Sequence, residues 1–163
     1  MMSLNPFQSR LEMWFILRFQ QVDSFGVNHM SNLSLFSAYA ASFEESLTDD
    51  DWTRLETYFA DDANYCPGDG STAEGRPAVL AALKDSVDQL ERKTESRDIL
   101  GTPDIAEEGD RITLNFQIRY TKTGLPDLIL DGVETVDYAN GVIQRMEDKF
   151  ANTDSYLDWR SKL

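Results

Sequence analysis

A carboxylate stands on an otherwise apolar strand face near the end of the chain. From Val142 to Phe150 apolar and polar residues alternate, which is the period of a β-strand. One face then carries Val142, Gln144, Met146, Asp148 and Phe150. Burial among apolar side chains raises the pKa of a carboxyl group, so Asp148 is suited to general acid–base catalysis. The alternative is a structural carboxylate that accepts hydrogen bonds from backbone or arginine.

Tyr65 is the second residue that could take part in chemistry. It lies in a short predicted strand, Ala63 to Cys66, just before the turn sequence PGDG at residues 67–70. A buried phenol can donate a hydrogen bond to a ligand oxygen or to Asp148. The alternative is a ring that only forms part of an aromatic wall. Cys66 has no activating neighbour in the sequence and is interpreted as a small core residue.

The composition excludes several classes of function. The 163 residues suffice for one domain with its own core. Fifteen Lys and Arg against 29 Asp and Glu give a net charge of −14, which argues against a nucleic-acid or anionic-membrane partner. One cysteine and one histidine, His29, exclude an internal disulfide and leave little for metal binding. We therefore expect no metal and no organic cofactor.

The first half of the chain predicts three helices. Apolar spacing indicates a helix from Asn32 to Leu47, with Ser31 as its N-cap. The acidic residues 49–51 end it and cap a second helix, because carboxylates favour a helix N-terminus. Residues 75–77 (GRP) open a third helix, with proline in the first turn.

The second half changes to a period of two. Residues 112–120 alternate between apolar and polar side chains, which is typical of a half-buried antiparallel strand. A strand from Leu128 to Tyr138 and one from Val142 to Phe150 flank Asn140-Gly141, a strong hairpin signal. Helices first and antiparallel strands afterwards predict an α+β fold, with the helices on one side of a curved sheet. Tyr156, Leu157 and Trp159 in the polar tail are predicted to dock on the domain.

Residues 1–29 read as a separate segment. The apolar run from Leu11 to Phe19 is too short to span a bilayer and contains Glu12 and Arg18, so it is a poor secretory signal. Two interpretations remain open: a helix that packs on the domain or a partner, or a disordered extension upstream of a domain covering residues 30–163. We favour the extension, and we expect a cytoplasmic protein.

Three segments in this order resemble a known family. They are WTRLETYFADDANY (52–65), GRPAVLAAL (75–83) and VDYANGVIQRMEDKFA (136–151). Over residues 33–152 the chain resembles the SnoaL-like branch of the nuclear transport factor 2-like superfamily. The resemblance implies a cone-shaped barrel of strongly bent antiparallel sheet with about three N-terminal helices on its concave side, enclosing one pocket. It also implies a homodimer through the outer face of the sheet.

The resemblance also suggests site residues. Asp148 falls where limonene-epoxide hydrolase carries an acidic residue, and Tyr65 lies in a place similar to a tyrosine of that site. Many SnoaL-like chains carry a pocket histidine after an arginine where this chain has Arg97 and Asp98. If Asp98 points inward, it joins Asp148 as a pair of carboxylates with separated pKa values. The alternative is a solvated strand face. Whether Asp131 or Glu134 points inward is left open.

The departures from the family are equally informative. Without a histidine after His29, the histidine-based mechanisms of scytalone dehydratase and polyketide cyclases do not transfer. The tyrosine of ketosteroid isomerase is matched by Phe43, and its general base falls near Cys66 and Pro67. No characterised site of the family transfers whole, and fold alone does not fix function.

The sequence therefore supports three hypotheses. The first is a pocket protein for a small apolar, oxygenated molecule, acting without cofactor as an isomerase, dehydratase or hydrolase through Asp148, Tyr65 and Asp98. The second is a non-catalytic binder of the same ligands, and the third is a protein-interaction module. Whether the chain is an enzyme is left open. The residues predicted to contact the ligand are Tyr39, Phe43, Trp52, Phe59, Phe116 and Met146.

Overall fold

Helices and a seven-stranded sheet make up the computed structural model, which describes residues 30–163. The helices are α1 (Asn32–Asp49), α2 (Arg76–Gln89) and α3 (Thr153–Arg160), with 3₁₀ helices at Thr53–Tyr58 and Glu91–Lys93. The strands are β1 (Phe59–Cys66), β2 (Ala73–Glu74), β3 (Ser96–Ile99), β4 (Asp104–Glu108), β5 (Arg111–Thr121), β6 (Leu128–Ala139) and β7 (Val142–Phe150). The predictions made for residues 1–29 lie outside the described residues.

The N-terminal helices follow the sequence signals with one change of type. Ser31 caps α1, and its side chain accepts a hydrogen bond from the backbone N–H of Ser34 at 3.2 Å. The predicted second helix is the 3₁₀ helix Thr53–Tyr58, and Phe59 already begins β1. Two α-helices and one 3₁₀ helix therefore stand where three helices were expected.

Asp50 fastens the end of α1 to the rest of the helical layer. It adopts a left-handed backbone conformation with φ of 62° and stops the helix. Its Oδ1 accepts hydrogen bonds from the Trp52 indole at 2.8 Å, from Lys84 at 3.0 Å and from Arg92 at 2.9 Å. These three donors, the indole foremost, hold the pKa of Asp50 well below its usual range. The acidic turn thus joins α1 to α2.

The sheet is mixed rather than purely antiparallel. Its strand order is β2-β1-β7-β6-β5-β3, and β4 also pairs with β5. All pairs are antiparallel except β1 with β7, which are parallel. The expected antiparallel sheet needs this correction because its first long strand pairs with its last, and everything between forms the crossover that a parallel pair requires. The sheet is curved and does not close.

Two apolar clusters fill the concave side. Residues of α1, α2 and β1 meet the inner face of β5, β6 and β7, with Phe36, Leu55, Val79 and Ile112 almost fully buried. The second cluster lies under α3, where Tyr156 and Trp159 are buried and Leu157 packs against them, as the sequence predicted. The Trp159 indole donates to the Pro126 carbonyl at 2.7 Å and fixes that helix to the β5–β6 turn.

A bulge in β7 changes which residues share a face. Asp137 pairs with Arg145, but Tyr138 pairs with Ile143, so Gln144 is an extra residue in the ladder. Ile143 and Met146 therefore both face the core. The face predicted for β7 is right from Met146 onward and wrong before it.

Gly132 shapes the inner face opposite Phe116. The two residues are direct partners in the β5–β6 ladder. A Cβ on Gly132 would lie 2.2 Å from the Phe116 ring, so the ring occupies the space that a side chain would fill. The absence of a side chain thus lets the ring lie against β6.

We expect Gly132→Ala to lower the free energy of unfolding by about 1–3 kcal/mol, because the added methyl group forces the Phe116 ring away. Chemical denaturation measures this change. In a Phe116→Ala background the same substitution should cost much less, since the clashing ring is gone. An equal cost in both backgrounds would contradict the explanation.

Candidate functional site

A cavity of about 120 Å³ lies between α1, α2 and the inner face of the sheet. This is close to the volume of an apolar cavity that holds one benzene molecule, about 150 Å³. Its walls are largely aromatic and aliphatic, and include Phe36, Tyr39, Phe43 and Phe116. Three carboxyl groups also line it: Glu91, Glu134 and Asp148. No lysine or arginine of the described chain is among its lining residues.

Tyr65 and Asp148 meet in the wall of this cavity. The Tyr65 hydroxyl donates a hydrogen bond of 2.7 Å to Asp148 Oδ2, across 83 positions of sequence. The parallel ladder aligns Tyr65 with Met146, and Asp148 follows on the same face of β7. The Tyr65 side chain is buried, and burial together with the Asp148 carboxylate raises its pKa well above 10. Tyr65 is therefore a neutral hydrogen-bond donor at physiological pH.

Glu134 is the direct cross-strand partner of Asp148. Both line the cavity, and opposed residues in an antiparallel pair have Cβ atoms about 5 Å apart. Two carboxylates this close in an apolar site hold one negative charge more easily than two. Glu134 and Asp148 therefore place two carboxyl groups side by side in the cavity wall.

The alternation of apolar residues along β6 indicates that Glu134 points inward. It shares its face of β6 with Leu128, Leu130, Val136 and Tyr138, all of which are buried. Residues of one parity along a strand point the same way, so Glu134 points into the cavity. Asp131 has the other parity and accepts a hydrogen bond from the Gln117 amide at 2.6 Å on the exposed face.

Asp98 lies outside the cavity. Its carboxylate pairs with Arg119 at 2.9 Å, and 41% of its side chain is exposed. The idea that Asp98 joins Asp148 in the pocket is corrected accordingly. Arg97, its neighbour, is the residue of β3 that turns inward, because it pairs with Tyr120 on the buried face of β5.

The six predicted ligand contacts divide into two layers. Tyr39, Phe43 and Phe116 line the cavity, whereas Trp52, Phe59 and Met146 lie behind its wall. Trp52 packs edge-on against Phe43 and Phe59 against Tyr39, each with ring centroids 5.6 Å apart. The Met146 sulfur accepts a hydrogen bond from the Tyr39 hydroxyl at 3.7 Å. These residues fix the orientation of the lining rings.

A second polar cluster borders the cavity and was not predicted. Arg97 Nε lies 3.0 Å from Glu91 Oε2 and donates to the Tyr120 hydroxyl at 3.3 Å. The Tyr120 hydroxyl in turn donates to Glu91 Oε1 at 2.9 Å. Burial lowers the pKa of Arg97, but Glu91, Tyr120 and Glu44 outweigh it and hold that pKa above its usual value. Glu91 and Tyr120 line the cavity.

The C-terminal helix covers another part of the cavity. Tyr156 of α3 is a lining residue and packs against Phe150 with ring centroids 4.9 Å apart. Arg160 donates to the Tyr156 hydroxyl at 3.1 Å and lies 3.4 Å from the Asp69 carboxylate. This ion pair fastens α3 to the PGDG turn.

Within residues 30–163 no group of three or more His, Cys, Asp and Glu side chains is arranged to hold a metal ion. The helices of the same residues are all too short or too polar to cross a membrane.

Comparisons with known proteins give structural relatives only. No protein-family model and no curated protein matches the chain by sequence. A nuclear transport factor 2-like protein of unknown function from Burkholderia pseudomallei is 21% identical, with a TM-score of 0.58, over 81% of this chain and 99% of its own. A candidate polyketide cyclase from Xanthomonas campestris is 18% identical, with a TM-score of 0.55, over 80% and 99%.

TerC, co-crystallised with polyporic acid, is 20% identical with a TM-score of 0.56, over 80% of this chain and 99% of its own. Likenesses at these identities establish the fold. The chain has the α+β cone fold of nuclear transport factor 2-like proteins, as the resemblance of its sequence predicted.

We expect Tyr65 to make stability fall in alkali. In the unfolded chain a tyrosine ionises near pH 10, whereas native Tyr65 keeps its proton above that pH. The native state then binds more protons than the unfolded state, so stability is fully present below pH 10 and is lost as pH rises further. Denaturant unfolding between pH 8 and 11 should show a less steep loss for Tyr65→Phe than for wild type. Equal slopes would contradict this account.

Proposed function

We propose that this chain is a SnoaL-like pocket protein that carries out cofactor-free acid–base chemistry on a compact, largely apolar, oxygen-bearing molecule. The observation that carries the proposal is the 2.7 Å hydrogen bond from Tyr65 to Asp148 in the wall of an aromatic cavity. Perturbed titratable groups in such a cavity are typical of active sites. The structural neighbours support the class, since they include a candidate polyketide cyclase and a protein bound to polyporic acid.

In this proposal Asp148 is the base. Tyr65 occupies Oδ2, fixes the orientation of the carboxylate and stabilises its charge, while Oδ1 accepts a proton from substrate carbon or oxygen. Glu134, its cross-strand neighbour, carries the proton of the pair and gives it to the substrate oxygen.

The proton count balances without a cofactor. When a carbon acid next to a carbonyl reacts, its proton passes to Asp148 and the carbonyl oxygen takes the proton of Glu134, which gives an enol. Where the ketone carries a β,γ double bond, the enol is a dienol. Return of the proton from Asp148 to its γ-carbon, with release of the hydroxyl proton to Glu134, then gives the conjugated ketone and completes an isomerisation. Where the ketone carries a β-hydroxyl group, the enol proton returns to Glu134, which passes it to the departing hydroxyl group. Water leaves, Asp148 keeps the α-proton, and the product is the unsaturated ketone of a dehydration.

Exchange of carbon-bound protons with solvent tests this role without knowledge of the natural substrate. In D₂O the wild-type protein should exchange the α-protons of small cyclic ketones, followed by proton NMR. Asp148→Asn should lower the rate by about 10²–10⁴-fold, because the base is lost. Asp98→Asn is the matched control, since that carboxylate pairs with Arg119 outside the cavity and should leave the rate unchanged.

The same variant separates a catalytic carboxylate from a structural one. Because Asp148 opposes Glu134, its neutralisation should leave stability unchanged or raise it by about 1 kcal/mol. A loss of about 1–3 kcal/mol would indicate a structural carboxylate. Ketone binding without exchange in wild type would overturn the catalytic role and favour a non-catalytic ligand binder.

A homodimer through the outer sheet face is also part of the proposal, as is a cytoplasmic location. The dimer rests on the resemblance of residues 33–152 to the SnoaL-like branch, whose members frequently pair through this face. Light scattering at micromolar concentration should give twice the 18.5 kDa of one chain. A monomer mass would contradict the dimer and leave the pocket chemistry untouched.

A further inference from the structure

The cavity has two polar ends, and the chemistry proposed above uses only one. Glu134 and Asp148 mark the first end, and Glu91 with Tyr120 marks the second. In the β5–β6 ladder Tyr120 pairs with Leu128, six positions from Glu134 on the same strand. The two polar groups are therefore set at different positions along the β5–β6 pair, and apolar side chains line the cavity between them.

The second end contains a buried ion pair, whose desolvation costs free energy that an apolar cavity wall would not require. The side chains of Arg97 and Glu91 are only 10% and 13% exposed, and each contacts the Tyr120 hydroxyl. A buried ion pair gives little net stability, because desolvation offsets the attraction of the charges, and apolar side chains of the same size would serve as well. Its value must therefore lie in what it presents to the cavity.

The directions of the hydrogen bonds in this cluster determine whether it offers donors or acceptors to a ligand in the cavity. Tyr120 has one hydroxyl proton and gives it to Glu91 Oε1, so it has none left for a ligand. Arg97 is not among the lining residues. The Glu91 carboxyl group has about four lone-pair sites, of which Tyr120 and Arg97 use two. Among the described residues, the lining groups of the second end, Glu91 and Tyr120, thus offer hydrogen-bond acceptors to a ligand.

We propose that Glu91, oriented by Tyr120 and Arg97, is a specificity residue that accepts a hydrogen bond from a ligand hydroxyl at the end of the cavity opposite Asp148. This inference rests on the proposed function and names its substrate class. The substrate is a neutral ring compound whose hydroxyl group binds Glu91 and whose carbonyl or similar oxygen faces away from Glu91, toward the Asp148 side of the cavity. The cavity volume of about 120 Å³ fits one six-membered ring.

The charges of the lining exclude acidic ligands. Glu91, Glu134 and Asp148 line the cavity, and no lysine or arginine of residues 30–163 does, while Glu44 adds a further acidic group near Arg97. A carboxylate in this apolar space would meet like charges at both ends. Neutral hydroxylated compounds should bind, and their acidic analogues should not.

Three probes that share one ring test the inference: cyclohexanone, 4-hydroxycyclohexanone and 4-oxocyclohexanecarboxylate. Dissociation constants come from ligand-observed NMR titration of the full chain. The hydroxyl compound should bind about tenfold more tightly than cyclohexanone, because its hydroxyl bonds to a charged acceptor. The carboxylate should bind more weakly than both. Equal binding of the two neutral probes, or no binding of either, would overturn the inference.

Substitutions in the cluster identify which residue binds the hydroxyl group of the ligand. The triple variant Glu91→Met, Arg97→Met, Tyr120→Phe replaces the cluster by apolar groups of similar size and should bring the tenfold preference to about onefold. Tyr120→Phe alone keeps the Glu91–Arg97 pair and should retain most of the preference. Its loss in that single variant would assign the hydroxyl to Tyr120 and overturn the role of Glu91.

Two further variants keep the test decisive. If circular dichroism shows that the triple variant does not fold, Glu91→Gln takes its place. A neutral acceptor makes a weaker bond, so the preference should fall to about threefold or less, and an unchanged preference overturns the inference. Asp98→Asn changes the residue next to Arg97, outside the cavity, and should leave all three dissociation constants unchanged.

The outcome is independent of catalysis. Asp148→Asn should keep the hydroxyl preference even where it abolishes proton exchange, because the two residues lie at opposite ends. A preference without exchange in wild type would overturn the proposed chemistry and leave this binding inference standing. Proton exchange without a hydroxyl preference would overturn this binding inference and leave the proposed chemistry standing.

Discussion

The parallel pairing of β1 with β7 is the constraint on which the rest of the structure depends. β1 follows the first helix and precedes α2, and β7 is the last strand of the meander, so this single ladder joins the helical layer to the sheet. It also sets Tyr65 beside Asp148, since a parallel register that aligns Tyr65 with Met146 leaves Asp148 next on the same face. A slip of one residue would turn either side chain away.

The polar groups of the cavity are a cost that the apolar contacts around them must offset. Phe59, Val79 and Met146 are almost fully buried directly behind the lining and supply that burial. Tyr65 donates a hydrogen bond to one oxygen of Asp148, and Arg97 forms an ion pair with Glu91. These two buried carboxyl groups therefore have partners that fix their orientation. Rigid partners hold such a site in position, which is what a preorganised pocket needs.

Much of the fold could be predicted from the sequence because helices, strands and turns leave local patterns of residue type and spacing. The caps and spacing of α1 and α2, the alternation of β5 and the Asn140-Gly141 hairpin all appear in the structure. Three features could not be predicted. The 3₁₀ form of the second helix, the parallel β1–β7 pair and the bulge at Gln144 each depend on contacts between distant segments, and local spacing carries no trace of them.

By itself, the sequence determined that the chain is acidic, has an α+β order, and carries Asp148 on the apolar end of its last strand beside Met146. Only the tertiary structure decided which residue of β3 turned inward, Arg97 rather than Asp98. The physical reason is that a strand with polar residues on both faces has no local preference for either. Its facing is set by the strand it pairs with and by the core that pairing buries.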